Sequence, residues 1–333
     1  MMSGENGQGV DQDATDKAAR NGALKLGLVC GVFAYGIWGL LPVYLKLLGS
    51  VDPAEIVGHR IFWSVPFGAV ILTLRKQWRE TLKAFLSPRI VLLLGFSATI
   101  IAANWLLYVW AVAHERVLEA SLGYYINPLM FVAAGVFILH EKLNRAQLAA
   151  VALAGVGVIV LTFGAGVFPW VSLLLATSFT IYGYVRKMLN VGAMPGLFIE
   201  TALLSPFALL FLIWFSNARG LAFGQGDFGI DALLVLAGPV TVVPLVLFAL
   251  AARRLKFSTI GFLQYIGPTG QFVLGLYYGE PFTTFHAICF ALIWLALAVF
   301  SIDAVRQNRK TRIAPIQSVS TSPKNSSTHS PLR

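Results

Sequence analysis

The stretch Glu119–Leu143, "EASLGYYINPLMFVAAGVFILHEKL", is apolar enough to be a buried helix, yet its centre carries Tyr124, Tyr125, Asn127 and Pro128. A proline inside a helix withholds the N–H that would bond the carbonyl four residues back, so the carbonyl of Tyr124 is set free. What that carbonyl and its polar neighbours face depends on the medium around the segment.

The medium is a bilayer. Of 333 residues, 57% are hydrophobic and 12% are charged, against roughly 25% charged in an ordinary soluble domain. Runs of about 20 apolar residues match a hydrocarbon core about 30 Å thick. Ten such runs lie at 24–48, 55–74, 90–113, 118–139, 146–163, 168–185, 194–216, 231–252, 257–279 and 282–303. Their short connections make successive helices antiparallel neighbours. The polar, acidic segment 1–23 is expected to be a tail, and the first run a retained helix rather than a cleaved leader. Residues 304–333 turn basic and then rich in Ser, Thr and Pro, a composition that cannot support a packed core. Cys30 and Cys289 sit in separate apolar runs, so neither a disulfide framework nor a metal cluster is expected.

The net charge of +10 invites a nucleic-acid reading, which the positions of the basic residues oppose. Nineteen of the 25 Lys and Arg fall on alternate connections and the terminal flanks, and only Arg116 and Arg219 on the opposite ones. Cytoplasmic loops carry such an excess, so both termini are expected in the cytoplasm, and the charge is topogenic.

"YINP" at Tyr125–Pro128 recurs as "YIGP" at Tyr265–Pro268, and a glutamate follows each, Glu141 and Glu280. The copies fall in the fourth and ninth runs, so the repeat unit is five helices, and an odd unit inserts its second copy upside down. The expected fold is an all-α membrane protein of ten transmembrane helices in two inverted five-helix repeats, 24–163 and 168–303. Inverted repeats recur among secondary transporters, whose halves exchange roles around a midplane site; channels also carry internal duplications.

Several stretches resemble one family: "AYGIWGLLPVYLKL" from Ala34, "EIVGHRIFWS" from Glu55, "NWLLYVWAV" from Asn104, "LEASLGYYINPL" from Leu118, "IYGYVRK" from Ile181, "FSTIGFLQYIGPT" from Phe257 and "YGEPF" from Tyr278. Over about residues 23–303 the chain is similar to the EamA family of the drug/metabolite transporter superfamily, in its RarD-like branch. The resemblance implies a ten-helix carrier of small molecules in the bacterial inner membrane, without naming its substrate.

Candidate substrate contacts cluster at the depth of the two prolines: Tyr124, Tyr125 and Asn127 with Pro128, and Gln264 and Tyr265 with Pro268. The same prolines also read as kinks that shape packing. Asn104 and Tyr108, four apart on one face, with Trp105 beside them, join the candidates, although Asn104 serves equally as an interhelical bond. Ionisable groups within spans are costly and are functional candidates by default. Lys46, His59, Arg60 and Glu119 lie towards the outer side, Arg186, Lys187 and Glu200 towards the inner. The expected gates pair Arg60 with Glu119, and Arg186 or Lys187 with Glu200; snorkelling is the alternative for Lys46 and Arg60. Glu119, Glu200 and His59 are candidates for proton carriage, and Glu141 for a loop contact.

Enzyme signatures fail. "GQGDFG" from Gly224 matches a dinucleotide pattern without the strand it needs, and no metalloprotease, nucleophile-elbow or P-loop motif occurs. The expected protein is a cofactor-free secondary carrier exporting a small polar or amphipathic metabolite by alternating access, with protons or a counter-substrate as partners and no nucleic acid. A membrane-embedded binding or regulatory protein without turnover is the alternative.

Overall fold

The computed structural model describes residues 5–113, 117–166, 170–278 and 283–313. Glu280 and the tail beyond 313 lie outside the described residues, as does the side chain of Glu119. The described chain is all helical: α1 (Glu5–Leu47), α2 (Pro53–Leu74), α3 (Trp78–Phe85), α4 (Pro88–Ala113), α5 (Val117–Phe137), α6 (Arg145–Ala165), α7 (Trp170–Met188), α8 (Ala193–Arg219), α9 (Phe228–Ala252), α10 (Phe257–Gln264), α11 (Ile266–Tyr277) and α12 (Thr284–Ile313).

Seven of these helices, α1, α2, α4, α6, α8, α9 and α12, are long and apolar enough among the described residues to cross a membrane. α5 contributes a shorter apolar stretch, Leu122–Phe137. α7 carries Ser172, Thr177, Ser178 and Thr180 along its length, and α10 and α11 are the two pieces of an interrupted helix. Side chains such as Leu92, Phe137, Phe163 and Phe207 stand more than two-thirds exposed on the outer surface, a surface suited to acyl chains rather than water.

Three elements differ from the sequence reading. Residues 5–23, expected as a polar tail, continue α1, with no proline to interrupt them. At the other end α12 runs ten residues past Asp303 through Arg306, Arg309 and Lys310, the charge sign that a helix C-terminus favours. The connection at 75–87 folds as the short helix α3, with Thr81 and Ala84 buried and Leu82 and Phe85 exposed.

The two proline segments also part company. α5 runs unbroken through Pro128, so Pro128 does not break its helix. The second copy is interrupted at Tyr265, whose N–H turns back to the Phe262 carbonyl at 3.3 Å, while Thr269 N–H bonds the Tyr265 carbonyl. Gly267 stands where α5 has Asn127 and Gly270 follows two residues after Pro268; two glycines beside a proline remove the helical preference that carries α5 past its single defect.

The halves interlock. α1 packs on α9 and α11, α2 on α8 and α9, α5 on α7 and α10, and α6 on α12, so the core is shared between them. One close crossing brings Gly261 of α10 onto α5 at Pro128. A methyl group at Gly261 would sit 2.5 Å from the Pro128 carbonyl oxygen, inside van der Waals contact. Glu141, just beyond α5, fastens the start of α10: its carboxylate accepts from Phe257 N–H at 2.7 Å, Ser258 N–H at 3.0 Å and Ser258 Oγ at 2.7 Å. This is the loop contact expected of it, and it satisfies donors that a helix start leaves bare.

Gly261→Ala is expected to destabilise the protein by about 1–3 kcal/mol through overpacking at this crossing. Gly155→Ala in α6, where an added methyl meets nothing within 4 Å, should be neutral or slightly stabilising. Thermal unfolding of the purified variants in detergent measures both, and equal behaviour would refute the tight crossing.

Candidate functional site

Where α5 meets α10 and α11, a cavity of about 150 Å³ opens in the interior. Its floor is the pair of proline segments: Gly123, Tyr124 and Asn127 from α5, Gln264 from α10, and Gly267, Pro268 and Gln271 from α11. α4 supplies Asn104, Trp105 and Tyr108, and α2 supplies Arg60. Of the expected contacts, Asn104, Trp105, Tyr108, Tyr124, Asn127, Gln264 and Pro268 therefore line one space.

Helix geometry explains most of this grouping. Asn104 and Tyr108 lie one turn apart, and Asn104 Nδ2 donates to Leu175 O at 2.9 Å and Ser178 Oγ at 2.8 Å on α7. Asn104 thus both ties α4 to α7 and borders the cavity. Tyr108 and Tyr124 meet edge to face at 6.2 Å between ring centroids, a preferred aromatic arrangement.

Sequence reasoning missed the opposite wall. Tyr35 and Trp38 of α1 and Phe179 of α7 line the cavity with Leu245 of α9. Trp38 packs on Tyr35 at 5.5 Å and on Phe179 at 5.8 Å. The available signal was the "YGIW" of α1, two aromatics three apart and hence on one helical face. Gln271 was also missed; its Nε2 donates to Trp38 O at 3.3 Å, joining α11 to α1.

Two expected contacts do not line the cavity. Tyr125 packs against Phe290 of α12 at 5.4 Å, and Tyr265 is buried in the cluster that includes Phe262 and Cys289. Each follows a cavity-lining residue directly, and one residue rotates a helix by about 100° at 3.6 residues per turn. The rotation that separates these neighbours cannot be read from the prolines.

Arg60 is the one charged residue lining the cavity among the described residues. Its Nε donates to Thr241 Oγ1 at 3.0 Å, and its Cζ lies 4.8 Å from the Trp105 ring centroid, a cation–π distance. The fork of terminal nitrogens makes no further hydrogen bond or ion pair among the described residues.

The expected Arg60–Glu119 pair lies outside the described residues, because the side chain of Glu119 does; Lys46, His59 and Lys187 do not line the cavity. Lys46 sits over the Tyr278 ring at 3.5 Å. His59 stands 3.6 Å from Glu55, accepts from Trp63 Nε1 at Nδ1 and packs on Phe223. Glu55 in turn holds Ala222 N–H and Phe223 N–H at 3.0 and 3.1 Å, so this group fastens the α8–α9 connection to α2. Lys187 does not pair with Glu200; its Nζ donates to Ala252 O and Leu255 O at 3.0 and 2.6 Å, capping the end of α9 as basic residues do.

Arg186 and Glu200 do meet, with Nη1 and Oε1 3.7 Å apart and side chains 1% and 2% exposed. Ser97 Oγ of α4 donates to Glu200 Oε1 at 2.7 Å, and Arg186 Nη2 donates to Ala193 O at 2.8 Å. Gly196 lies directly against the guanidinium. Arg186 is seven residues beyond the cavity-lining Phe179, or about 10 Å along α7 at 1.5 Å per residue. No cluster of His, Cys, Asp or Glu suited to a metal occurs among the described residues.

Comparison with known proteins places this geometry in context. Residues 25–163 match the model of the EamA-like transporter family. An uncharacterized transporter of Pseudomonas aeruginosa is 47% identical over 294 residues, covering 86% of this chain and 97% of the relative. Protein RarD of Escherichia coli is 42% identical over 286 residues, covering 86% and 97%. A solved crystal structure at 20% identity superposes with a TM-score of 0.64 over 86% of this chain and 99% of its own, a similarity of fold.

Arg186→Met and Glu200→Leu, made singly, should each destabilise by about 3–5 kcal/mol, because each strands a buried charge. The double variant is expected to recover most of that loss. Thermal unfolding of the four proteins forms the cycle, and additive losses would refute the pairing.

Proposed function

The chain belongs to the RarD-like branch of the EamA family, and from that premise we propose that it is a secondary carrier moving a small amphipathic metabolite by alternating access. The observation that carries this reading is the cavity's construction. Its walls come from helices of both halves, with the two "YI-x-P" segments at its floor. A site built at the junction of two repeats is what rocking of one half against the other requires.

The same reading assigns ten spans, with α10 and α11 together forming the ninth, in two inverted sets of five. It puts the protein in the bacterial inner membrane with both termini in the cytoplasm, as the distribution of basic residues favours. It treats the Arg186–Glu200–Ser97 contact as the inner gate in its made state, since it joins α7, α8 and α4 beyond the cavity. Breaking it exposes two charges to water, which offsets the lost contact and lets the gate open at a moderate energy.

The test is flux. Protein reconstituted in liposomes preloaded with a panel of single-ring carboxylates, amines and amino acids should show saturable, counterflow-competent exchange of at least one class. Binding without flux would refute the carrier and leave a ligand-binding membrane protein. Glu200→Gln should lower exchange at least tenfold while leaving cavity binding in place; unchanged exchange would remove the gate. Alkaline phosphatase fused at either terminus should be inactive in cells, and activity at either end would overturn the orientation.

A further inference from the structure

A cation lining an interior cavity without an acid among the described residues, together with two lining carboxamides whose oxygens are unpartnered, constrains what the cavity receives. Arg60 contributes a full positive charge, and among the described residues no Asp or Glu lines the space. The guanidinium uses Nε on Thr241 and its face on Trp105, which leaves its terminal fork as donors without an acceptor among the described residues. An ionised group in so apolar a setting is costly unless paired. Arg186 in the same protein shows the alternative, for it has Glu200 beside it.

The second observation lies in the floor. Asn127 is 7% exposed and Gln264 is 6% exposed, and neither carboxamide oxygen has a hydrogen-bond partner. Buried polar groups are almost always satisfied, and here both belong to residues lining the cavity. Carbonyl oxygens accept, so their missing partner is a donor. Between these polar features stand the rings of Tyr35, Trp38, Trp105, Tyr108, Tyr124 and Phe179. The volume of about 150 Å³ is of the size that holds one benzene ring.

Resting on the carrier reading of this cavity, we infer that its substrate class is a small single-ring aromatic monocarboxylate bearing a neutral hydrogen-bond donor. The carboxylate sits on the terminal fork of Arg60, which matches it in a bidentate manner. The ring lies among the aromatic walls, and the hydroxyl or N–H of the ligand reaches Asn127 and Gln264. One cation balances one negative charge, so a phosphate dianion is left half neutralised. An amine would meet Arg60 with like charge and find no acid among the described lining residues.

The experiment is a ligand titration of the full chain in lipid nanodiscs, read by thermal stability and by calorimetry. The probes are 4-hydroxybenzoate, benzoate, 4-hydroxybenzamide and tyramine. The expected order puts 4-hydroxybenzoate first, benzoate at least threefold weaker, and the neutral amide and the amine at least tenfold weaker. Arg60→Gln should cost tenfold or more in 4-hydroxybenzoate affinity and Arg60→Lys less, while Asn127→Ala should erase the advantage of 4-hydroxybenzoate over benzoate. Equal binding of amide and acid, preference for tyramine, or no binding of either acid overturns the inference, and these wild-type comparisons need no variant to fold. Binding requires no turnover, so the two readings fail separately. An acid that binds without exchange in liposomes sinks the carrier alone, and exchange of amines without acid binding sinks this assignment alone.

Discussion

The approach of α10 onto α5 at Gly261 and Pro128 is the constraint on which the remaining architecture depends. Pro128 disturbs α5 without breaking it, and the absence of a side chain at Gly261 lets the partner helix come against the Pro128 carbonyl. That contact sets the spacing of the two proline segments and so the floor of the cavity. Glu141 supports it from one end by fastening the start of α10. In lipid, helices gain little from hydrophobic burial against one another, so close backbone approach through small residues and satisfied polar ends supply the association.

Two buried arginines show how the same chemistry takes on different roles. Arg186 is enclosed with Glu200, Ser97 and the Ala193 carbonyl, an arrangement in which charge is internally balanced. Arg60 has a hydroxyl, a ring and an empty space. A balanced pair is suited to being made and broken; an unbalanced cation is suited to recruiting an anion. The contrast lies in what each guanidinium touches, since both residues occur in apolar stretches that look alike in sequence.

Much of the candidate site was legible from the prolines. They mark the interior depth at which polar side chains gather, and Tyr124, Asn127 and Gln264 follow from that alone. Tyr125 and Tyr265 share the depth but point into the packing with α12, because neighbours on a helix face different directions. Tyr35, Trp38 and Phe179 carry no helix defect to announce them; in a chain with 24 Phe, 10 Tyr and 8 Trp, an aromatic on one helical face is too common to single out. Lys46, His59 and Lys187 are candidates because ionisable residues in spans are rare; the partners of Lys46 and Lys187 lie on distant helices, whereas Glu55 and Trp63 stand four residues either side of His59 on its own helix.

By itself the sequence determined the environment of the chain, its helical class and its family. These follow from composition, hydropathy runs and local chain chemistry, which need no knowledge of neighbours. Tertiary structure alone decided which faces of those helices meet and which side chains Arg60 touches. Those outcomes depend on rotation and on contacts between residues more than a hundred positions apart, and the energy of such contacts exists only once the helices have packed.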